Sequence, residues 1–90
     1  MNKINIVGAG VSGLIAAKIL EEHGYHPNIF EETSRVGGRI KTDFLNGFFL
    51  DRGFQVLLTS YPAVSKHLDL EKLNLINIQS GAYIFDKKRY

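Results

Sequence analysis

The chain has no cysteine, which removes disulfide frameworks, thiolate zinc sites and cysteine nucleophiles together. It has no uninterrupted apolar run near the ~20 residues that a membrane-spanning helix requires. Neither sign of charge dominates: eleven basic residues against nine acidic ones leave +2, scattered rather than gathered into a nucleic-acid footprint. The one basic cluster, Lys87-Lys88-Arg89, reads as a solvated turn. There is no internal repeat, low-complexity tract or linker. His23, His26 and His67 lack metal-ligand spacing with one another or with acids, so no metal site is expected. Ser12 has no G-x-S-x-G context, and the adjacent pairs Glu21-Glu22 and Glu31-Glu32 do not converge as acid/base partners must. No catalytic residue can be assigned.

What remains has the composition of a soluble globular chain, 44% hydrophobic and 22% charged. Its length suits one small domain and is too short for two. The cysteine-free composition fits a reducing compartment, and a cytoplasmic location is expected, with no nucleic-acid partner and no membrane span. Lys3 ahead of the mostly apolar Ile4–Ala17 imitates a signal-peptide core, but three glycines at fixed spacing and the lack of a cleavage site argue against one.

Glycine is what the chain spends freely, although it weakens both helices and strands. Lys3–Val7 is a short β-branched run that stops at Gly8, as a buried strand does. From Gly10 to His23 the pattern is helical, with Lys18, Glu21 and Glu22 on one arc and Ile15, Ala16, Ile19 and Leu20 expected to face inward. Gly24 suits a left-handed cap, and Asn28–Glu31 reads as a second strand, parallel to the first. Asn46-Gly47 between Ile40–Asp43 and Phe48–Asp51 signals a hairpin, with most of Phe44, Phe48, Phe49 and Phe54 expected in the core. Gln55–Thr59 reads as extended, Ser60 with Pro62 as the start of a helix to about Leu68, and Asp69–Leu73 as a further helical turn. Ile76–Ile78 and Ala82–Phe85 read as extended and Asp86–Arg89 as a turn. The fold class is therefore α/β: a Rossmann-like FAD/NAD(P)-binding βαβ unit followed by a β-hairpin and a short helix. With two strands where a buried parallel sheet needs several, an incomplete domain at the front of a longer protein is expected.

Gly8-Ala9-Gly10-Val11-Ser12-Gly13 matches G-x-G-x-x-G after a strand and at the start of a helix, the context the motif requires. Gly8 permits the tight turn, Gly10 lets a pyrophosphate approach, and Gly13 lets the helix press on the sheet. The phosphates then meet free N–H groups at the positive end of the helix. Glu31 closes the second strand 18 residues after Gly13, where an acid holds a ribose hydroxyl pair and repels a 2′-phosphate, which disfavours NADP. Glu32 is the second candidate, turned to the other face by strand alternation. These features leave NAD and FAD equal.

Glu31 through Arg39, EETSRVGGR, resembles the extended FAD motif of the flavin amine oxidase, phytoene desaturase and protoporphyrinogen oxidase superfamily. The resemblance implies FAD as cofactor, with Gly37 and Gly38 bringing backbone close to the dinucleotide and Arg39 meeting its phosphates. A guanidinium fork on phosphate and adjacent glycines without Cβ atoms agree with that physically. Asn46–Gln55, NGFFLDRGFQ, is similar to the family segment that passes beside the flavin ring, and implies contacts from Gly53, Phe54 and Gln55. Arg52 departs from that pattern, which usually has a small or apolar residue there. Gln79–Tyr90 looks like the first strands of the family's substrate domain, so residues 1–75 are expected to belong to the FAD-binding domain and 76–90 to begin the substrate domain. The resemblance covers most of the chain, with the specific motifs confined to the first 39 residues. It implies an oxidoreductase that oxidises a C–N or C–C bond of a small molecule by hydride transfer to flavin. The alternatives are an NAD-binding module of a dehydrogenase and a non-catalytic fragment.

Overall fold

The computed structural model describes residues 3–53 and 56–87. Among them the regular elements are β1 (Asn5–Val7), α1 (Val11–Glu22), β2 (Asn28–Phe30), β3 (Thr42–Leu45), β4 (Phe48–Asp51) and α2 (Pro62–His67). The chain divides into two compact units, Met1–Leu58 and Thr59–Tyr90.

In the first unit β1 and β2 pair in parallel, with Asn5 opposite Asn28, Ile6 opposite Ile29 and Val7 opposite Phe30. Backbone bonds from Asn28 N–H to Ile4 C=O (2.9 Å) and from Gly8 N–H to Phe30 C=O (2.7 Å) carry the ladder beyond both strand ends. Gly8 turns the chain from strand to helix at φ +96, a conformation side chains rarely adopt. At the other end of α1, Gly24 N–H bonds Glu21 C=O and Tyr25 N–H bonds Leu20 C=O. That pair of bonds is the Schellman arrangement that the position of Gly24 leads one to expect.

The face that α1 lays on β1 differs from the expected one. Ala17 is buried, while Ala16 and Ile19 are exposed and Ile15 and Leu20 are half-buried. The cause is the glycine four residues earlier, because a Cβ on Gly13 would stand 2.0 Å from the Gly8 carbonyl oxygen. The helix is held so close at Gly13 that the next inward position, Ala17, must also be small.

The hairpin turns at Asn46 (φ 51) and Gly47 (φ 84), the left-handed pair a two-residue type I′ turn needs. Its register pairs Thr42 with Asp51 and Phe44 with Phe49. β3 begins at Thr42 rather than Ile40 because the Ile40 N–H is already bonded to Gly37 C=O at 3.1 Å. The phenylalanines are not core: Phe44, Phe48 and Phe49 are 67%, 68% and 78% exposed. Among the described residues of this unit no further layer covers the two-stranded sheet, so they pair across strands, and the rings of Phe44 and Phe49 meet at 5.1 Å and 50°. Phe54 and Gln55 lie outside the described residues.

In the second unit α2 starts at Pro62, with Tyr61 rather than Ser60 at the cap position and no side-chain bond there. Proline at the first helical position sets that start. Asp69 Oδ1 accepts the Lys72 N–H at 3.3 Å, and Leu73 N–H bonds Leu70 C=O. This is one turn, ended where Asn74 takes φ 48, and not a helix. Residues 56–59, 76–78 and 82–85 form no strand.

The Gly8–Gly13 contact predicts a sharp asymmetry between neighbouring glycines. Gly13→Ala forces backbone apart and should cost about 3 kcal/mol or more. Gly10→Ala, at an ordinary φ of −73 with nothing within 4 Å of an added Cβ, should cost about 1 kcal/mol or less, mainly through the poorer helix cap. Urea unfolding of the two variants in the full-length protein checks the ratio, and equal losses would contradict the close approach.

Candidate functional site

The two glycine segments, separated by 23 residues or more in sequence, lie against each other. Gly37 N–H donates to Ala9 C=O at 2.8 Å, and Gly10 and Gly37 form an isolated parallel bridge. A Cβ on Gly38 would stand 3.2 Å from Gly10 Cα. Gly38 therefore lies tight against the first segment, while a Cβ on Gly37 would meet the Ile40 carbonyl oxygen at 3.0 Å. Gly37 and Gly38 adopt φ 111 and 60, which closes the turn to Ile40.

Ala9 is 1% exposed and has both backbone polar groups committed. Its C=O accepts from Gly37, and its N–H donates to Glu31 Oε1 at 2.9 Å. The other Glu31 oxygen, Oε2, accepts from the Thr33 N–H at 2.9 Å and the Thr33 hydroxyl at 2.6 Å. These three donors, the Thr33 hydroxyl foremost, hold the Glu31 carboxyl down to about 2 from an ordinary 4.5, against the opposing effect of burial. Glu31 is a fixed anion at the end of β2, as its position in sequence predicts. Glu32 is exposed beside it.

Two open clefts flank this junction. One, of about 420 Å³, is lined by Gly8, Gly10, Val11, Ser12 and Gly13 from one segment and by Gly37 and Gly38 from the other. No side chain caps α1 and no acid lies in its first turn, so the first N–H groups of the helix have no intrahelical acceptor. The second, of about 390 Å³, is lined by Glu31, Thr33, Arg35, Arg39, Lys41 and Arg52, with Glu32 also on its wall. Gly38 and Arg39 belong to both.

The arginines differ in what they are free to do. Arg35 Nη2 donates to Ile40 C=O at 2.9 Å, clamping the Gly37–Ile40 turn. Arg52 pairs through Nε with Asp43, which Lys41 also approaches at 3.7 Å. The hydrogen bond from Arg52, with the positive charges of Arg52 and Lys41, lowers the Asp43 carboxyl against the opposing effect of burial. Among the described residues the Arg39 guanidinium makes no such bond, so its fork remains for a ligand. Gly53 lines neither cleft; a Cβ there would stand 3.1 Å from the Arg39 carbonyl oxygen, so it packs behind Arg39. Sequence reasoning missed Thr33, Arg35 and Lys41. For Thr33 a signal existed: a hydroxyl two residues past an acid is placed to bond it locally.

A cradle of close-packed glycine backbone, an uncapped helix N-terminus and an anion ending the second strand together define a dinucleotide-binding module. The fit is physical as well as formal. Gly8 and Gly13 are explained by backbone angle and contact, but a Cβ on Gly10 would meet no protein atom within 4 Å, so the open space beside it is what a close-lying phosphate needs. The chain belongs to the family described as the NAD(P)-binding Rossmann-like domain, whose model matches residues 6–69. It is similar to protoporphyrinogen oxidase 2 of Arabidopsis thaliana, 39% identical over 98% of this chain and 17% of the relative. It is also similar to an L-amino-acid oxidase of Siganus canaliculatus, 46% identical over 58% of this chain and 10% of the relative. A third relative is a 4,4'-diapophytoene desaturase of Staphylococcus haemolyticus, 34% identical over 92% of this chain and 17% of the relative. The chain thus spans less than a fifth of the length of these relatives. The resemblance carried by EETSRVGGR stands, and with it FAD as the cofactor and dinucleotide binding as the coarse function of this segment. Among the described residues no helix is long and apolar enough to cross a membrane.

The Glu31 arrangement predicts an acid-sensitive fold. Its carboxyl is depressed below the unfolded value, so its contribution is complete above about 4.5 and is lost as pH falls toward about 2. Asp43 acts in the same direction. Urea midpoints of the wild type should therefore decline across that window, and those of Glu31→Gln should decline less, retaining only the remaining groups' slope. Parallel profiles would remove Glu31 from the junction.

Proposed function

We propose that this chain holds the ADP half of FAD in an oxidoreductase that oxidises a C–N or C–C bond of a small molecule. The observation that carries the reading is the open space at Gly10, faced by the uncapped start of α1 and overlaid by Gly37 and Gly38. The pyrophosphate would lie along Gly8–Gly13, on backbone N–H groups of Val11, Ser12 and Gly13 that need an anionic acceptor. Gly37 and Gly38 present backbone without Cβ atoms from the opposite side, and Arg39 closes on the phosphates as a bidentate cation. Glu31, kept ionised, accepts from the ribose hydroxyls, with Glu32 at the rim. Ala9 serves by locking the loop to Glu31 and Gly37, since neither of its polar groups is free. FAD held there would supply the hydride acceptor, and the part of these residues would be to bind and orient it.

Residues 1–75 would supply this part of the FAD domain, and 76–90 would begin the substrate domain, with Gly53, Phe54 and Gln55 on the flavin side. The cysteine-free composition supports a cytoplasmic setting. The relatives supporting the bond type differ among themselves, an amino-acid oxidase on one side and a desaturase on the other.

The test is an absorption spectrum of the purified full-length protein between about 300 and 550 nm, where bound flavin has its bands. The wild type should carry flavin, and Gly10→Ala should retain its fold but lose most of it, at least tenfold in affinity, because a Cβ occupies the phosphate space. Flavin-free wild type that binds NAD by calorimetry would move the assignment to the nicotinamide class.

A further inference from the structure

We infer that Thr33 is a positioning residue for the ribose-binding carboxylate, setting the direction in which Glu31 presents its lone pairs to the adenosine. This rests on the dinucleotide reading above and deepens it.

Glu31 follows the three-residue strand β2 and has no rigid element of its own to fix its side chain. Its carboxylate is instead held from two directions. The Ala9 N–H fixes Oε1 against the glycine loop, and Thr33 fixes Oε2 through both backbone N–H and hydroxyl. A carboxylate offers about four lone-pair sites, so three donors leave room for ribose only in the direction they do not occupy. The backbone donors are present whatever the residue at position 33; the hydroxyl is the one contribution specific to threonine. Its proton has a second acceptor within reach, the Arg35 carbonyl at 2.9 Å, but the Glu31 oxygen is nearer at 2.6 Å and charged.

The same hydroxyl sits where the loop needs order. Between Glu31 and Ile40 no regular element forms, and the segment is shaped by Thr33 on Glu31, Arg35 on Ile40 and Gly37 on Ala9. Arg35, Arg39, Lys41 and Arg52 line the cleft around Glu31. A carboxylate that loses the Thr33 hydroxyl keeps its two backbone donors but is held less firmly against the pull of these cations, away from a sugar. Thr33 therefore sets the orientation of the acid and does not itself touch the nucleotide.

The experiment measures binding of ADP and of 2′,3′-dideoxy-ADP by calorimetry to the apo form of the full-length protein, in wild type, Thr33→Val and Thr33→Ser. Valine keeps the shape and backbone N–H but not the hydroxyl; serine restores the hydroxyl. ADP affinity should fall about five- to tenfold in Thr33→Val, the scale of one charge-assisted hydrogen bond's loss of orientation, and return in Thr33→Ser. With the dideoxy nucleotide, which lacks the hydroxyls Glu31 would meet, wild type and Thr33→Val should bind alike. An equal loss for both nucleotides, no loss for either, or a Thr33→Val protein that no longer folds would assign Thr33 to the scaffold and overturn the proposal. Wild type that fails to bind ADP would overturn the dinucleotide reading, and this inference with it.

Discussion

The glycine junction of the first unit hangs on the peptide groups of Ala9. One residue, buried between two glycines, donates its N–H to the acid at the end of β2 and accepts from the glycine that opens the next turn. Three stretches of chain that are remote in sequence, the 8–13 loop, Glu31 and the 37–40 turn, thereby become one surface. The packing makes the arrangement tight rather than merely adjacent. Gly38 lies within van der Waals reach of Gly10, and Gly13 within that of Gly8, so backbone rests on backbone at both contacts. Buried polar groups left unpaired cost more than the bonds themselves contribute, which is why loss of one partner would disturb all three stretches.

The electrostatics follow from the same junction. Glu31 is the anion that Thr33 and the Ala9 N–H jointly stabilise, serving partly structure and partly the presentation of acceptors to solvent. The arginines divide the work in a comparable way. Arg35 shapes the turn, Arg52 anchors the hairpin to Asp43, and Arg39, uncommitted among the described residues, lines both clefts. Arg52, the departure from the superfamily pattern, thus has a local structural partner, Asp43, that explains its tolerance at that position.

The elements nearest the site were the most legible in the sequence. Strand, glycine turn, helix and strand appear where the β-branched run, the G-x-G-x-x-G spacing and Gly24 place them, because each depends on local rules of backbone angle and capping. The Asn46-Gly47 hairpin was equally readable. What failed depends on long-range packing. Ala16 and Ile19 were expected inward, but the buried face of α1 is chosen by the Gly13 contact with Gly8, which no helical periodicity reports. The phenylalanines look like core in any hydrophobicity reading, yet burial requires a second layer, and among the described residues of this unit the hairpin has none. The touching of Gly10 and Gly37 was not legible, since two glycine clusters in a sequence do not announce that they meet.

The claim most in need of a direct test is that the two glycine segments act as a single nucleotide surface. Amide hydrogen exchange of the full-length protein, with and without ADP, measures it. Protection should rise together at residues 10–13 and 37–39 on addition of nucleotide, with the Ala9 N–H already protected in its absence. Protection confined to residues 10–13, with 37–39 exchanging unchanged, would contradict the account and leave the second glycine pair as a turn outside the binding site.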